Sequence, residues 1–113
     1  MTNILSDDYM DLINELHDHF AEHGDVTPQL QIMKLAEEVG EAVAAYIGAG
    51  GHNPRKGITH NMDDVAMELA DVVIVAVLAI EMCGRDPNTV LAAQAKKTRL
   101  GLDDFNVQLN MPR

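Results

Sequence analysis

The sequence predicts an all-α fold, a four-helix bundle-like domain, on three observations. Hydrophobic residues make up 47% of the 113 residues but aromatic residues only 4%, with no Trp, so small and aliphatic side chains must fill the core. Apolar residues recur at spacings of three and four, which is the period of an amphipathic helix. Capping residues precede these apolar segments, and no segment alternates as a strand does. This length predicts one domain, covering residues 1–113.

The first two helices are delimited by their capping residues. The first is predicted over about 7–23, because Ser6 suits an N-cap and Gly24 suits a helix stop. The second is predicted from Thr27-Pro28 to about Gly48, because Thr caps a helix and Pro fits the first helical position.

The third and fourth helices follow from the same signals. The third is predicted to begin near Asn61 and to end near Met82. It is apolar nearly all round, which predicts a central, buried helix. The fourth is predicted from Asp86-Pro87 to roughly Arg99, and residues 101–113 are predicted to be an irregular tail.

The formal net charge of -10 constrains the kind of partner. A nucleic-acid polymer is not expected, because its phosphates require a basic face. A small anionic substrate fits only if a cation mediates the contact. The apolar run 72–80 is too short to span a bilayer, so no membrane partner is expected. The N-terminal residues do not resemble a secretory signal, which makes a cytoplasmic location the default expectation.

Carboxylates stand at helical spacing on the second and third helices. Glu38 and Glu41 are three residues apart, and so are Glu68 and Asp71, so each pair projects from one side of its helix. Glu37 lies four residues before Glu41. If the two helices pack side by side, the two pairs meet in one site. The alternative for the first group is an ordinary solvated helix surface.

The second pair favours a metal ion. Glu68 and Asp71 interrupt an otherwise apolar helix, and a buried charge is costly unless it is paired or metal-bound. None of the eight Lys and Arg residues lies on that helix. Each close pair of carboxylates costs about 3 kcal/mol at an effective dielectric constant of about 20. A divalent cation offsets this repulsion, and all-oxygen ligation favours Mg²⁺, with Mn²⁺ as a possible substitute.

The pattern EExxE, a spacer, and then ExxD resembles the MazG-like, all-α nucleoside triphosphate pyrophosphohydrolases. It reads Glu37-Glu38-Val39-Gly40-Glu41 and Glu68-Leu69-Ala70-Asp71 here, with 26 residues between the two parts, and the resemblance covers about residues 28–80. It implies a helical bundle completed in a homodimer or homotetramer. It also implies Mg²⁺-dependent cleavage between the α and β phosphates, which gives a nucleoside monophosphate and pyrophosphate.

The same resemblance assigns roles to single residues. It makes Glu38, Glu41, Glu68 and Asp71 the metal ligands, and it makes Glu37 the extra acid that helps to hold a second metal or orients the attacking water. We interpret Glu37 as the general base. Relatives also bind the phosphates with basic residues, for which the candidates in this chain are Lys34, Arg55, Lys56 and Lys97. Many relatives bind the nucleotide base with Trp or other aromatic side chains, and this chain has no Trp.

The sequence also admits three other functions. One is hydrolysis of a different diphosphate, such as a phosphoribosyl-nucleotide. Another is a non-catalytic helical module that binds a nucleotide or a protein through a degenerate metal site. A di-iron carboxylate protein also uses a helical bundle, but the second and third helices carry no Glu-x-x-His pair.

Overall fold

Four α-helices make up most of the computed structural model, which describes residues 3–24 and 26–110. In chain order they are α1 (Asp7–His23), α2 (Pro28–Gly50), α3 (Met62–Met82) and α4 (Pro87–Leu109). No strand occurs in these ranges, so the prediction of an all-α fold is confirmed. Within the same ranges, no helix combines the length and the apolar character that crossing a membrane requires.

Each helix begins at the cap that the sequence predicts. Side-chain oxygens at the N-caps accept hydrogen bonds from backbone N–H groups three residues further on, at Ser6, Thr27, Asn61 and Asp86. The Asp64 carboxylate accepts a bond of 2.9 Å in return from the Asn61 backbone N–H, which completes a capping box on α3. Gly24 ends α1 in the left-handed region, with a φ of 68°. Local chemistry therefore determines the helix starts.

Helices α2 and α3 form an antiparallel hairpin held at both ends. At one end the backbone N–H of Thr59 donates to the carbonyl oxygen of Gly48 over 3.0 Å. Gly48 is required there, because a Cβ atom would collide with the side chains of Thr59 and His60. At the other end the buried Gln31 amide donates to the carbonyl oxygen of Val75 over 3.2 Å. The hairpin therefore holds facing residues of α2 and α3 in one register.

The core lies around the C-terminal half of α3, away from the hairpin loop. Ile13 of α1 is fully buried against Val77 and Leu78 of α3. Partly buried side chains surround these three, among them Leu91 from the start of α4. The side chain of His17 also meets Glu81 at 3.1 Å between Nδ1 and Oε2, which adds a polar contact between α1 and α3.

Helix α4 is longer than predicted. It continues to Leu109, so the prediction of an irregular tail is wrong for residues 101–109, while residues 111–113 lie outside the described part. The predicted stop near Arg99 lies just before Gly101, but a single Gly costs a helix only about 1 kcal/mol relative to Ala. The pair of Arg99 and Asp103, with 3.5 Å between Nε and Oδ1, spans Gly101 at a spacing that supports a helix.

Helix α3 is central but is not buried on all sides. It contacts each of the other three helices. However, Met67, Leu69 and Val73 keep 67%, 53% and 51% of their surface exposed. The prediction of a buried helix is therefore wrong for this part of α3 in one chain, because α1, α2 and α4 leave some of its apolar surface uncovered.

The single chain is extended and exposes an unusual amount of surface. Its radius of gyration is 18.4 Å, whereas a compact domain of this length has about 13 Å. Its accessible surface is 8509 Å², whereas a compact monomer of this mass exposes roughly 6,100 Å². The excess is thus roughly 2,400 Å², about three times what one partner buries in a standard interface.

Candidate functional site

Three carboxylates from two helices converge where α2 and α3 face each other. Glu38 and Glu41 of α2 and Glu68 of α3 each have a carboxylate oxygen within 4.8 Å of the other two. The convergence follows from the sequence, because the spacing of three on α2 directs both side chains to one side, and the antiparallel register brings Glu68 opposite. Glu38 and Glu68 are half-buried and Glu41 is exposed, so the cluster is open to solvent on one side.

Glu68 has a buried oxygen without a partner. Its Oε2 atom is shielded from solvent and makes no hydrogen bond within the described part of the chain. A buried carboxylate oxygen that lacks a donor loses its hydration without compensation. No lysine or arginine forms an ion pair with the cluster in the described residues either. The site therefore has an unmet need for a donor or a cation.

Electrostatic repulsion is apparent at Glu38. Its burial, and then the negative charges of Glu41 and Asp71, raise the pKa of the Glu38 carboxyl above its ordinary value. A hydrogen bond with the Glu41 side chain acts in the same direction, and the positive charge of Lys34 opposes them. Ionised Glu38 is thus held in an environment that disfavours its charge, which a bound cation would reverse.

The donor set fits a hard divalent cation better than a soft one. All three ligands are carboxylates, the type that Mg²⁺ and Mn²⁺ prefer. With a Mg–O distance of about 2.1 Å, oxygens on opposite sides of the ion lie about 4.2 Å apart. The three carboxylate oxygens of this cluster lie within 4.8 Å of one another, which is a slightly wider spacing than around a bound ion. Small side-chain rotations of Glu38, Glu41 and Glu68 are thus enough to reach ligand distances.

The remaining predicted acids lie at the edge of this cluster. Asp71 is exposed one turn after Glu68, and it is close enough to Glu38 to raise its pKa. Glu37 is exposed beside Glu38 and is not one of the three converging carboxylates. Their roles as fourth ligand and general base stay predictions.

Of the four predicted basic residues, one lies beside the carboxylate cluster and three lie away from it. Lys34 lies one turn before Glu38, and its charge acts on that carboxyl. Arg55 and Lys56 are exposed in the hairpin loop, beyond the end of α2. That end, Gly50, lies about 14 Å along the helix axis from Glu41. Lys97 is exposed on α4, whose only helix contact in the described residues is with α3. Of these four predicted residues, the described part of the chain brings only Lys34 to the cluster.

An apolar groove of about 340 Å³ lies on another side of the α2–α3 hairpin. None of the three converging carboxylates lines this groove. Its lining consists of Val39, Ala42, Val43, Tyr46, Val65, Leu69 and Val72. The sequence does not predict this surface, because the apolar residues of α2 and α3 are all expected to face the core. The available signal was that the apolar arc of each helix is wider than one neighbouring helix covers.

We expect Glu38→Gln to raise the melting temperature of the metal-free protein at pH 7. Because the folded state raises the pKa of Glu38, this group binds protons more readily folded than unfolded, and its ionisation destabilises the fold as the pH rises. The gain from Gln should therefore shrink as the pH falls towards the ordinary pKa of a glutamate. Thermal unfolding with and without Mg²⁺ measures both effects, and Mg²⁺ should stabilise the wild type more than the variant.

The matched control is Glu15→Gln, at an exposed position on α1. It should leave both the melting temperature and the Mg²⁺ response close to wild type. Equal melting temperatures for wild type and Glu38→Gln at pH 7 would contradict the repulsion described for this cluster.

Comparison with known proteins adds no relative to this description. No protein-family model, no curated protein and no solved structure matches the chain. The resemblance to MazG-like pyrophosphohydrolases therefore depends on the spacing of the acidic residues.

Proposed function

We propose that this chain is a Mg²⁺-dependent nucleoside triphosphate pyrophosphohydrolase. The observation that supports this most is the convergence of Glu38, Glu41 and Glu68, in which a buried Glu68 oxygen has no partner. A bound Mg²⁺ neutralises triphosphate charge and polarises the phosphorus centre. This accounts for how a protein with a net charge of -10 accommodates a polyanion.

The residues of the site have separate roles in the proposed reaction. Glu38, Glu41, Glu68 and Asp71 hold the cation at the junction of α2 and α3. Glu37, one residue before the cluster, takes a proton from the attacking water as general base. The water oxygen bonds to the α phosphorus, the bridging bond to the β phosphate breaks, and pyrophosphate leaves with the bond electrons. Lys34, which lies beside Glu38, offsets the negative charge of the phosphates.

We further propose that the working form contains at least two copies, in the cytoplasm. The excess exposed surface of roughly 2,400 Å² per chain is in the range that obligate dimers bury. Assembly also bears on the site, because Arg55, Lys56 and Lys97 are away from the carboxylates of their own chain. In an assembly, these basic residues meet the phosphates at the site of a neighbouring copy.

A non-catalytic module is the second candidate. Its support is the incomplete set of phosphate-binding residues beside the carboxylates, where Lys34 alone acts on the cluster. Such a protein binds a nucleotide with Mg²⁺ and releases no pyrophosphate. The two functions therefore differ in a product that can be measured.

The deciding experiment is a pyrophosphate-release assay. The protein is incubated with Mg²⁺ and a panel of canonical and modified nucleoside triphosphates, together with a phosphoribosyl-nucleotide. We expect pyrophosphate from at least one member of the panel, and no release from Glu38→Ala or Asp71→Ala. Glu15→Ala, a change on the exposed surface of α1, should retain the wild-type rate. Absence of pyrophosphate from every substrate, despite Mg²⁺-dependent nucleotide binding, would favour the binding module.

A further inference from the structure

The C-terminal part of α4 carries an apolar row that no part of residues 3–24 and 26–110 covers. Residues 93–109 of this helix are all exposed. Leu102, Phe105 and Leu109 keep 47%, 55% and 65% of their surface accessible. An isolated helix of this length is marginal in water, because packing supplies most helical stability. This segment therefore needs a partner to account for its helical state.

The row has the spacing of a coiled-coil seam. Its positions alternate in steps of four and three, the heptad period of two supercoiled helices. They are Leu91, Ala95, Thr98, Leu102, Phe105 and Leu109. Leu91 packs at the edge of the core of its own chain, so the seam begins inside the fold and continues outward along α4.

The seam is symmetric about position 100. In an antiparallel pair of α4 helices centred there, Ala95 faces Phe105 of the second copy, so a small side chain meets a large one. Thr98 likewise faces Leu102, and Leu91 faces Leu109. Every member of the row thus finds an apolar or small counterpart in an identical helix, which is the self-complementarity that a two-fold interface requires.

The distribution of charge along α4 favours the antiparallel direction. Lys96 and Lys97 precede the centre of the seam, and Asp103 and Asp104 follow it at equal distances. These four residues lie about 120–140° around α4 from the seam, so they do not contact a paired helix. An antiparallel pair still sets the basic half of each helix alongside the acidic half of the other, whereas a parallel pair sets like charges side by side. Arg99 lies nearest the two-fold axis, and its charge is offset by Asp103 of its own helix at 3.5 Å.

We propose that α4 is a self-association helix that pairs antiparallel with α4 of a second copy through this seam. The pairing is independent of the proposed activity, because the seam shares no residue with the carboxylate cluster. The exposed area supports it, since roughly 2,400 Å² in excess of a compact chain is enough for this contact and for a second one on the α2–α3 hairpin.

The first test compares two double variants by light scattering coupled to size exclusion. Leu102→Lys with Phe105→Lys places charges in the seam, and it should lower the mass to half that of the wild type. The matched control, Leu100→Lys with Val107→Lys, alters equally exposed apolar residues on the opposite side of α4. It should keep the wild-type mass. A monomeric wild type, or equal masses for both variants, would overturn the proposal.

The second test measures direction by crosslinking and introduces no new charges, using Gly101 beside the seam and Leu109 within it. Cys83, the single cysteine, is exposed and is first replaced by Cys83→Ser. In that background, Gly101→Cys places thiols within about 10 Å of each other beside the two-fold axis, so a short bismaleimide should link two chains. Leu109→Cys places them about 27 Å apart along an antiparallel pair, so it should remain unlinked.

The pattern of crosslinks separates the possible occupants. Links at position 109 and at position 101 would indicate parallel helices and overturn the antiparallel pairing. No link at either position would mean that another surface, such as the α2–α3 groove of a second copy, covers the seam, and would overturn the proposal as well.

Discussion

Glu68→Gln is expected to lower Mg²⁺-dependent pyrophosphate release by at least two powers of ten. Polarisation by a bound metal ion is worth several kcal/mol of transition-state stabilisation, and each 1.36 kcal/mol changes the rate by about tenfold. Glu68 is the member of the three-carboxylate cluster that lies on α3, and its buried Oε2 has no hydrogen-bond partner among the described residues. An amide has the same shape but cannot supply the negative charge that the cation needs. Initial rates at saturating nucleotide measure the loss.

Two further readouts separate a lost ligand from a damaged fold. Mn²⁺ binding followed by electron paramagnetic resonance should weaken in Glu68→Gln, while the metal-free variant should melt at or above the wild-type temperature because repulsion is reduced. Glu81→Gln is the control, since Glu81 is also a half-buried glutamate on α3 and its partner, His17, can donate to an amide oxygen. Full activity in Glu68→Gln would exclude this cluster as the metal site.

The parts of the fold that the sequence predicted are those governed by neighbouring residues. Ser6, Thr27 and Asn61 each bind a backbone N–H group only three residues away, so their caps are visible in a one-dimensional pattern. The prediction that α4 ends near Arg99 was wrong because a one-dimensional pattern does not show the backbone conformation of Gly101. A Gly ends a helix only if the backbone turns left-handed there, and Gly101, unlike Gly24, does not have a positive φ.

The carboxylate cluster was predictable from the three-residue spacings on α2 and α3 and from the assumption that these two helices pack side by side. Glu38 and Glu41 had to lie on one side of their helix, and an antiparallel neighbour brought Glu68 to them. The basic loop was not predictable in the same way. The direction of Arg55 depends on Gly51 and Gly57, whose positive φ values of 65° and 68° turn the loop, and no periodic pattern encodes that turn.

Ile13→Ala is expected to cost about 2–5 kcal/mol in the free energy of unfolding. Ile13 has no exposed surface, and it packs against Val77 and Leu78 at the point where α1 and the start of α4 meet α3. An uncovered cavity there removes contacts from three helices at once, which is a large fraction of the 5–15 kcal/mol typical of a domain. Urea unfolding followed by circular dichroism measures the change, at one protein concentration because assembly contributes to stability.

Leu12→Ala is the matched control, since Leu12 is the neighbour of Ile13 and keeps 43% of its surface exposed. It should lose much less stability. The substitution should change the stability of the fold but not the geometry of the carboxylate cluster, because Val77 lies about 14 Å along α3 from Glu68. Under native conditions, Ile13→Ala should therefore bind Mn²⁺ as the wild type does. Equal losses of stability in Ile13→Ala and Leu12→Ala would mean that the packing of Ile13 against Val77 and Leu78 is not what attaches α1 to the α2–α3 hairpin. A loss of Mn²⁺ binding in still-folded Ile13→Ala would instead show that the core sets the geometry of the carboxylates.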